Sequence, residues 1–158
     1  MFRTNQLAWK LRIDERVEVM EQTNFRHVSA DDFNRGLPEF ATIDVSFISL
    51  KKIFPTLKTV LAEGGEVVAL IKPQFEAYKE DVGEKGIITD PAVHRYVLEK
   101  IIDFLYGQGF EVNEIIQSPI RGGKGNKEFL AHIRFTDKIK SIEADHLNRL
   151  ISESLFTE

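Results

Sequence analysis

The chain has 158 residues, 42% of them hydrophobic and 10% aromatic, enough apolar content for a buried core in one globular domain and little room for a second. Lys and Arg number 21 against 25 Asp and Glu, so the net charge of −4 excludes a global attraction to nucleic acid or anionic membrane and leaves such contacts to a local patch. The absence of cysteine excludes disulfide scaffolds, thiolate metal sites and cysteine nucleophiles and suits a cytoplasmic setting, and no apolar run approaches the ~20 residues of a membrane span or forms a signal peptide.

In chain order, Asn5 to Leu11 reads as the end of a helix in which Trp9 is expected to pack as core, and Arg16 to Met20 as a short alternating strand. A chain that opens on a helix end is expected to begin partway through a larger fold. After Pro38, residues Phe40 to Val45 form a buried strand ending in an acid, Asp44. Leu50 to Leu61 has the spacing of an amphipathic helix, with Lys51 and Lys52 on its solvated face and Gly64-Gly65 closing it. Glu66 to Ile71 is apolar after its first residue, the pattern of a central parallel strand covered on both faces, and it runs directly into Lys72-Pro73.

Residues 74 to 89 lack periodicity and read as a long loop. Asp90-Pro91 then caps a helix whose stripe is Val93, Val97, Ile101 and Leu105, ended by Gly107 and Gly109. Phe110 to Ile116 is a further strand, residues 118–127 a basic glycine-rich loop, and Glu128 to Phe135 a last strand with Phe129, Ala131, Ile133 and Phe135 on one face. From Lys138 onward, Ile139, Ile142, Leu147, Leu150 and Ile151 recur at helical spacing, as a docked or partner-seeking C-terminal helix. Strands alternating with helices predict an α/β fold on a mostly parallel sheet, with residues 1–137 as its body and 138–158 as the terminal helix.

The chemistry is expected at strand ends. In open α/β sheets ligands bind beyond the carboxyl ends of the strands, so Asp44 and Lys72 should project into one crevice. If the last strand runs antiparallel to the others, its start lies at the same edge and brings Glu128, with Arg121, Lys124 and Lys127, to the same place. The plainer alternative for each charge is that it marks where a buried strand reaches water, and for the basic loop that it is only a turn. Glycines beside cations suit close approach to phosphate, which makes Arg121, Lys124 and Lys127 candidates for RNA contact. His27, His94, His132 and His146 have no ligand spacing, so no metal is expected.

The segments Thr4 to Arg12, Asp14 to Val17, Ile43-Asp44-Val45-Ser46-Phe47-Ile48-Ser49-Leu50, Ala69-Leu70-Ile71-Lys72-Pro73-Gln74-Phe75-Glu76 and Gly125-Asn126-Lys127-Glu128-Phe129 together resemble the haemolysin-A (TlyA) family. Over about residues 3–135 the motifs occur in order and without large gaps. The resemblance implies a Rossmann-like, FtsJ-like catalytic domain with an antiparallel last strand, and an S-adenosylmethionine-dependent 2′-O-ribose methyltransferase of ribosomal RNA or ribosomal subunits, with no membrane partner. It implies that Asp44, Lys72 and Glu128 are the Asp-Lys-Glu part of a Lys-Asp-Lys-Glu tetrad. It also places Asn24 at the adenine of the cofactor, with Asp44 and Val45 beside it.

The same resemblance predicts that an S4-type RNA-binding domain, the first sheet strands, the glycine-rich cofactor loop, a ribose-holding acid and the first tetrad lysine lie upstream of Met1, so that residues 1–158 alone should hold the cofactor negligibly. A ribose hydroxyl is a weak acid, and a lysine can take its proton only when burial or a neighbouring cation lets the amine be neutral near pH 7. The Asp would orient that lysine and face the sulfonium, and the Glu would hold the hydroxyl or the lysine network. Two other readings compete: a noncatalytic RNA- or protein-binding module that keeps the fold, and a membrane-active haemolysin-like protein, against which the lack of a span and of a basic amphipathic face argues.

Overall fold

The computed structural model describes residues 5–139 and 141–156. Thr4 of the opening motif, and the ends of the predicted body and terminal helix, lie outside them. Four strands, β1 (Phe40–Ile43), β2 (Glu66–Ile71), β3 (Phe110–Gln117) and β4 (Phe129–Phe135), form one sheet in the order β1-β2-β4-β3. β1 and β2 pair in parallel, while β4 runs antiparallel to both β2 and β3. Three strands therefore point one way and β4 alone is reversed, inserted between β2 and β3. The register sets Ile43 opposite Ala69 and Ile71 opposite Phe129, so the ends of β1 and β2 and the start of β4 share one sheet edge.

Alternation along the strands decides which face is buried. Val67, Ala69 and Ile71 of β2 and Phe129, Ala131, Ile133 and Phe135 of β4 point into a core shared with α2 (Phe54–Val60), α4 (Pro91–Gly107) and α5 (Ala144–Phe156). Val68 and Leu70 on the opposite face are only half-buried, so β2 is covered on one face rather than both among the described residues. Asp90 caps α4 as predicted, its carboxylate accepting from Ala92 N–H at 2.8 Å. Gly109 turns the chain from α4 into β3 at φ +88, where a Cβ would stand 2.7 Å from Asp137 Cα. α5 lies against α4 and β3 and buries Leu150 and Ile151.

Several expectations need correction. Helix α1 covers Trp9–Arg12 only, and Asn5 adopts a left-handed φ of 58°. Trp9 is 70% exposed and is not core. Residues 16–20 form no strand, because the carbonyls of Glu15 and Arg16 accept from the Arg35 guanidinium instead of a ladder partner. The predicted helix 50–61 is a 3-10 turn, Leu50–Lys52, followed by α2, whose first turn holds Pro55. It ends at Val60, and Gly64 (φ +81) serves the turn into β2 rather than the helix end. The region read as loop begins with helix α3 (Pro73–Glu76), and a 3-10 turn follows at Lys79–Asp81.

Candidate active site

Lys72 leaves β2 at the sheet edge and Pro73, buried, starts α3 immediately behind it, so the backbone that carries the amine is held by the helix start. The Lys72 side chain is 13% exposed; its Nζ lies 2.7 Å from Asp44 Oδ1 and donates to Ser46 Oγ at 3.0 Å. Two of the three ammonium donors are thereby aimed by residues of the loop after β1. Asp44 is 74% exposed along its side chain, so its carboxylate stays open to water while it holds the amine.

Glu128 stands just before β4 and is 5% exposed. Gln74 Nε2 donates to its Oε1 at 2.8 Å, linking α3 to the start of β4. Gly122 approaches so closely that a Cβ there would lie 1.9 Å from the same oxygen. Glu76, also on α3, accepts from Ser49 Oγ at 2.6 Å and from Leu50 N–H at 2.7 Å. Burial pushes the Glu76 carboxyl above its ordinary range, against these two bonds and the charge of Lys51. One four-residue helix thus anchors both the loop after β1 and Glu128.

A cavity of about 370 Å³ opens beside these groups, lined by Ser46, Phe47, Lys72, Gln74, Phe75 and Glu128 and walled by parts of the 82–86 and 123–126 loops. Phe47 is 89% exposed, has a left-handed φ of 61° and lies with its ring centroid 5.0 Å from that of Phe75. An aromatic residue held in that backbone region with its ring in water is an unusual arrangement that the fold must sustain. A second, apolar cavity of about 280 Å³ lies on the β1 side, lined by Phe25, Ile43, Asp44, Val45, Ile53 and Leu57. The Lys72–Asp44 pair joins the two.

Asp44, Lys72 and Glu128 therefore meet at one edge, as their places at strand ends led one to expect. Val45 lines the apolar cavity, whereas Asn24 does not: its Oδ1 caps a 3-10 turn by accepting from Arg26 N–H at 3.2 Å, and its neighbour Phe25 reaches the cavity. In the basic loop, Lys124 Nζ donates to Lys85 O at 2.7 Å, so this cation also braces the 83–88 segment. Buried Asn126 completes that clasp, accepting from Ile88 N–H at 3.0 Å and donating to Gly86 O at 2.8 Å. Ser46, Phe47 and Gln74 are not singled out by sequence pattern. The available signal is their position, two or three residues beyond Asp44 and two beyond Lys72.

His94 on α4 is buried behind this loop, its ring 6.0 Å from that of Phe129 and its Nε2 without a partner. Burial lowers its imidazole below the ordinary range, Lys127 and Arg121 act in the same direction, and Asp90 opposes them. Among the described residues there is no group of three His, Asp or Glu able to hold a metal, and no helix long and apolar enough to cross a membrane.

A family model described as FtsJ-like methyltransferase matches residues 2–135. YqxC of Bacillus subtilis, provisionally named an rRNA methyltransferase, is 57% identical over 131 residues, which cover 83% of this chain and 47% of YqxC. The 16S/23S rRNA (cytidine-2'-O)-methyltransferase TlyA of Mycobacterium tuberculosis is 34% identical over 151 residues, 94% of this chain and 56% of that protein. The chain thus spans about half the length of the curated relatives it matches. A solved structure from Streptococcus thermophilus, provisionally named a hemolysin, superposes with a TM-score of 0.87 at 50% identity, covering 94% of this chain and 54% of that one.

Proposed function

Because the chain belongs to the FtsJ-like methyltransferase family, we propose that the crevice between Asp44, Lys72 and Glu128 methylates ribose 2′-hydroxyls of ribosomal RNA with S-adenosylmethionine as the donor. The observation that carries this reading is that the ends of two parallel strands and the start of the reversed one share a sheet edge, where Lys72 and Glu128 line one cavity and Asp44, on the neighbouring cavity, holds the Lys72 amine at 2.7 Å. The residues present fit part of the donor: the apolar cavity by Phe25 and Val45 suits its flat heterocycle, with Asp44 on the rim as an anion to face the sulfonium. The donor supplies a methyl group on a positively charged sulfur that is already a good leaving group. Alignment is then the larger task for the protein.

Lys72, held by Asp44 and Ser46, is the group placed to take the proton from the ribose oxygen when its amine is neutral. Glu128 accepts a hydrogen bond from the nucleotide. Phe47, backed by Phe75, offers an exposed ring on which an unstacked base can lie, the usual way in which single-stranded or flipped-out RNA bases are held. Arg121, Lys124 and Lys127 supply positive charge for the phosphates next to the cavity.

The test is transfer of labelled methyl groups to ribosomal RNA or ribosomal subunits by the full-length protein, with the product nucleoside identified by mass spectrometry. Lys72→Ala should lower the rate by about three orders of magnitude, with cofactor affinity within about twofold of the parent. A near-parental rate in that variant would remove Lys72 from the mechanism.

A further inference from the structure

We propose that Gln74 is the positioning residue for Glu128, setting which carboxylate oxygen is presented to the nucleotide; the inference rests on the methyltransferase reading above. The Glu128 carboxylate can only accept hydrogen bonds, so the amide of Gln74 must turn its nitrogen, not its oxygen, toward Oε1. That orientation leaves Gln74 Oε1 buried with no hydrogen-bond partner. An orphaned buried acceptor is destabilising, and a residue present for packing alone would do better with an apolar end. The amide is kept for what its N–H does.

Glu128 Oε1 has two close neighbours. Gln74 donates to it at 2.8 Å, and Gly122 comes so near that a Cβ there would lie 1.9 Å from it. Oε2 is left as the oxygen that meets the substrate. Gln74 also sits two residues beyond Lys72 on the turn begun by Pro73, and Glu76 ties that turn to Ser49 and Leu50. A single short helix therefore sets the spacing between the amine and the carboxylate, which is the quantity that in-line transfer depends on.

Gln74→Met keeps the length of the side chain and deletes the amide. In labelled-methyl assays with the full-length protein and ribosomal RNA, it should lower kcat by about ten- to a hundredfold and leave the cofactor KM within about twofold. The melting temperature should stay the same or rise, because the orphaned acceptor is gone. In a Glu128→Ala background, adding Gln74→Met should change the residual single-turnover rate by less than about twofold, as expected when one residue acts through the other. A parental rate in Gln74→Met, a further full-sized loss in the Glu128→Ala background, or a fall in melting temperature proportionate to the loss of rate would each overturn the proposal. Should the unaltered protein methylate no ribosomal RNA, the methyltransferase reading itself fails. A crystal structure of Gln74→Met still decides the positioning claim: Glu128 swung away from Gly122 supports it, and an unmoved carboxylate refutes it.

Discussion

At Gly122 the missing side chain does more than loosen a turn. Its φ of −71° is open to any residue, so the requirement is for space: a Cβ would stand 1.9 Å from Glu128 Oε1. The sequence suggests phosphate approach as the use of the loop glycines, yet this one is filled by a carboxylate of the protein itself. The obstructing atom is the end of a flexible side chain, so Glu128 can swing clear at little expense to the fold. Gly122→Ala should therefore change unfolding free energy by less than about 1 kcal/mol while lowering methyl transfer at least about tenfold. Thermal melts paired with the labelled-methyl assay check both halves; a parental rate would mean that the position of Glu128 is not needed.

Among the elements, α4 and α3 form for different reasons. The α4 cap, its proline and its apolar stripe are local, and the helix runs from Pro91 to Gly107 much as its spacing foretells. Its buried face also carries His94, which has a distinct consequence for pH. Burial and the charges of Lys127 and Arg121 hold the folded-state imidazole below its unfolded value of about 6.5, with Asp90 opposing them. The unfolded chain therefore binds the proton first, so this contribution to stability is complete above about pH 6.5 and is lost as the pH falls below it. His94→Leu should accordingly gain in melting temperature relative to the parent as the pH falls from 7 to 5. A difference that does not change with pH would place the titration elsewhere. α3, by contrast, has only four residues, and its last turn is held by tertiary bonds from Ser49 and Leu50 to Glu76. Nothing within residues 73–76 announces it beyond Pro73.

For the molecule as a whole, a net charge of −4 means that any RNA affinity arises from a local cluster working against a weakly repulsive background. Of Arg121, Lys124 and Lys127, Lys124 lines the cavity and divides its role between that surface and the carbonyl of Lys85. Replacing all three by Gln should weaken RNA binding and reduce the log-log salt slope by about two units, at roughly 0.7 to 0.9 for each phosphate no longer neutralised. Cofactor binding should be unaffected, since the apolar cavity by Phe25 and Val45 contains none of the three. Filter-binding titrations across a salt series measure the slope; an unchanged slope would show that the loop only solvates a turn.

The positions of Asp44, Lys72 and Glu128 are legible from the sequence alone because each directly follows or precedes a strand rich in apolar residues, and the direction of a strand decides which end of the sheet its neighbours in sequence occupy. The α/β class, the strands and α4 are legible for the same kind of reason: period and capping are local properties. What only the tertiary structure decides is the meeting of residues far apart in sequence. Gln74 reaches Glu128 across 54 positions, Glu76 reaches Ser49 across 27, and Arg35 withdraws the carbonyls of Glu15 and Arg16 from any strand. Phe47 is exposed and Trp9 uncovered for a similar reason. An aromatic residue is buried only where the fold brings a surface to cover it, and no pattern within a few residues carries that information.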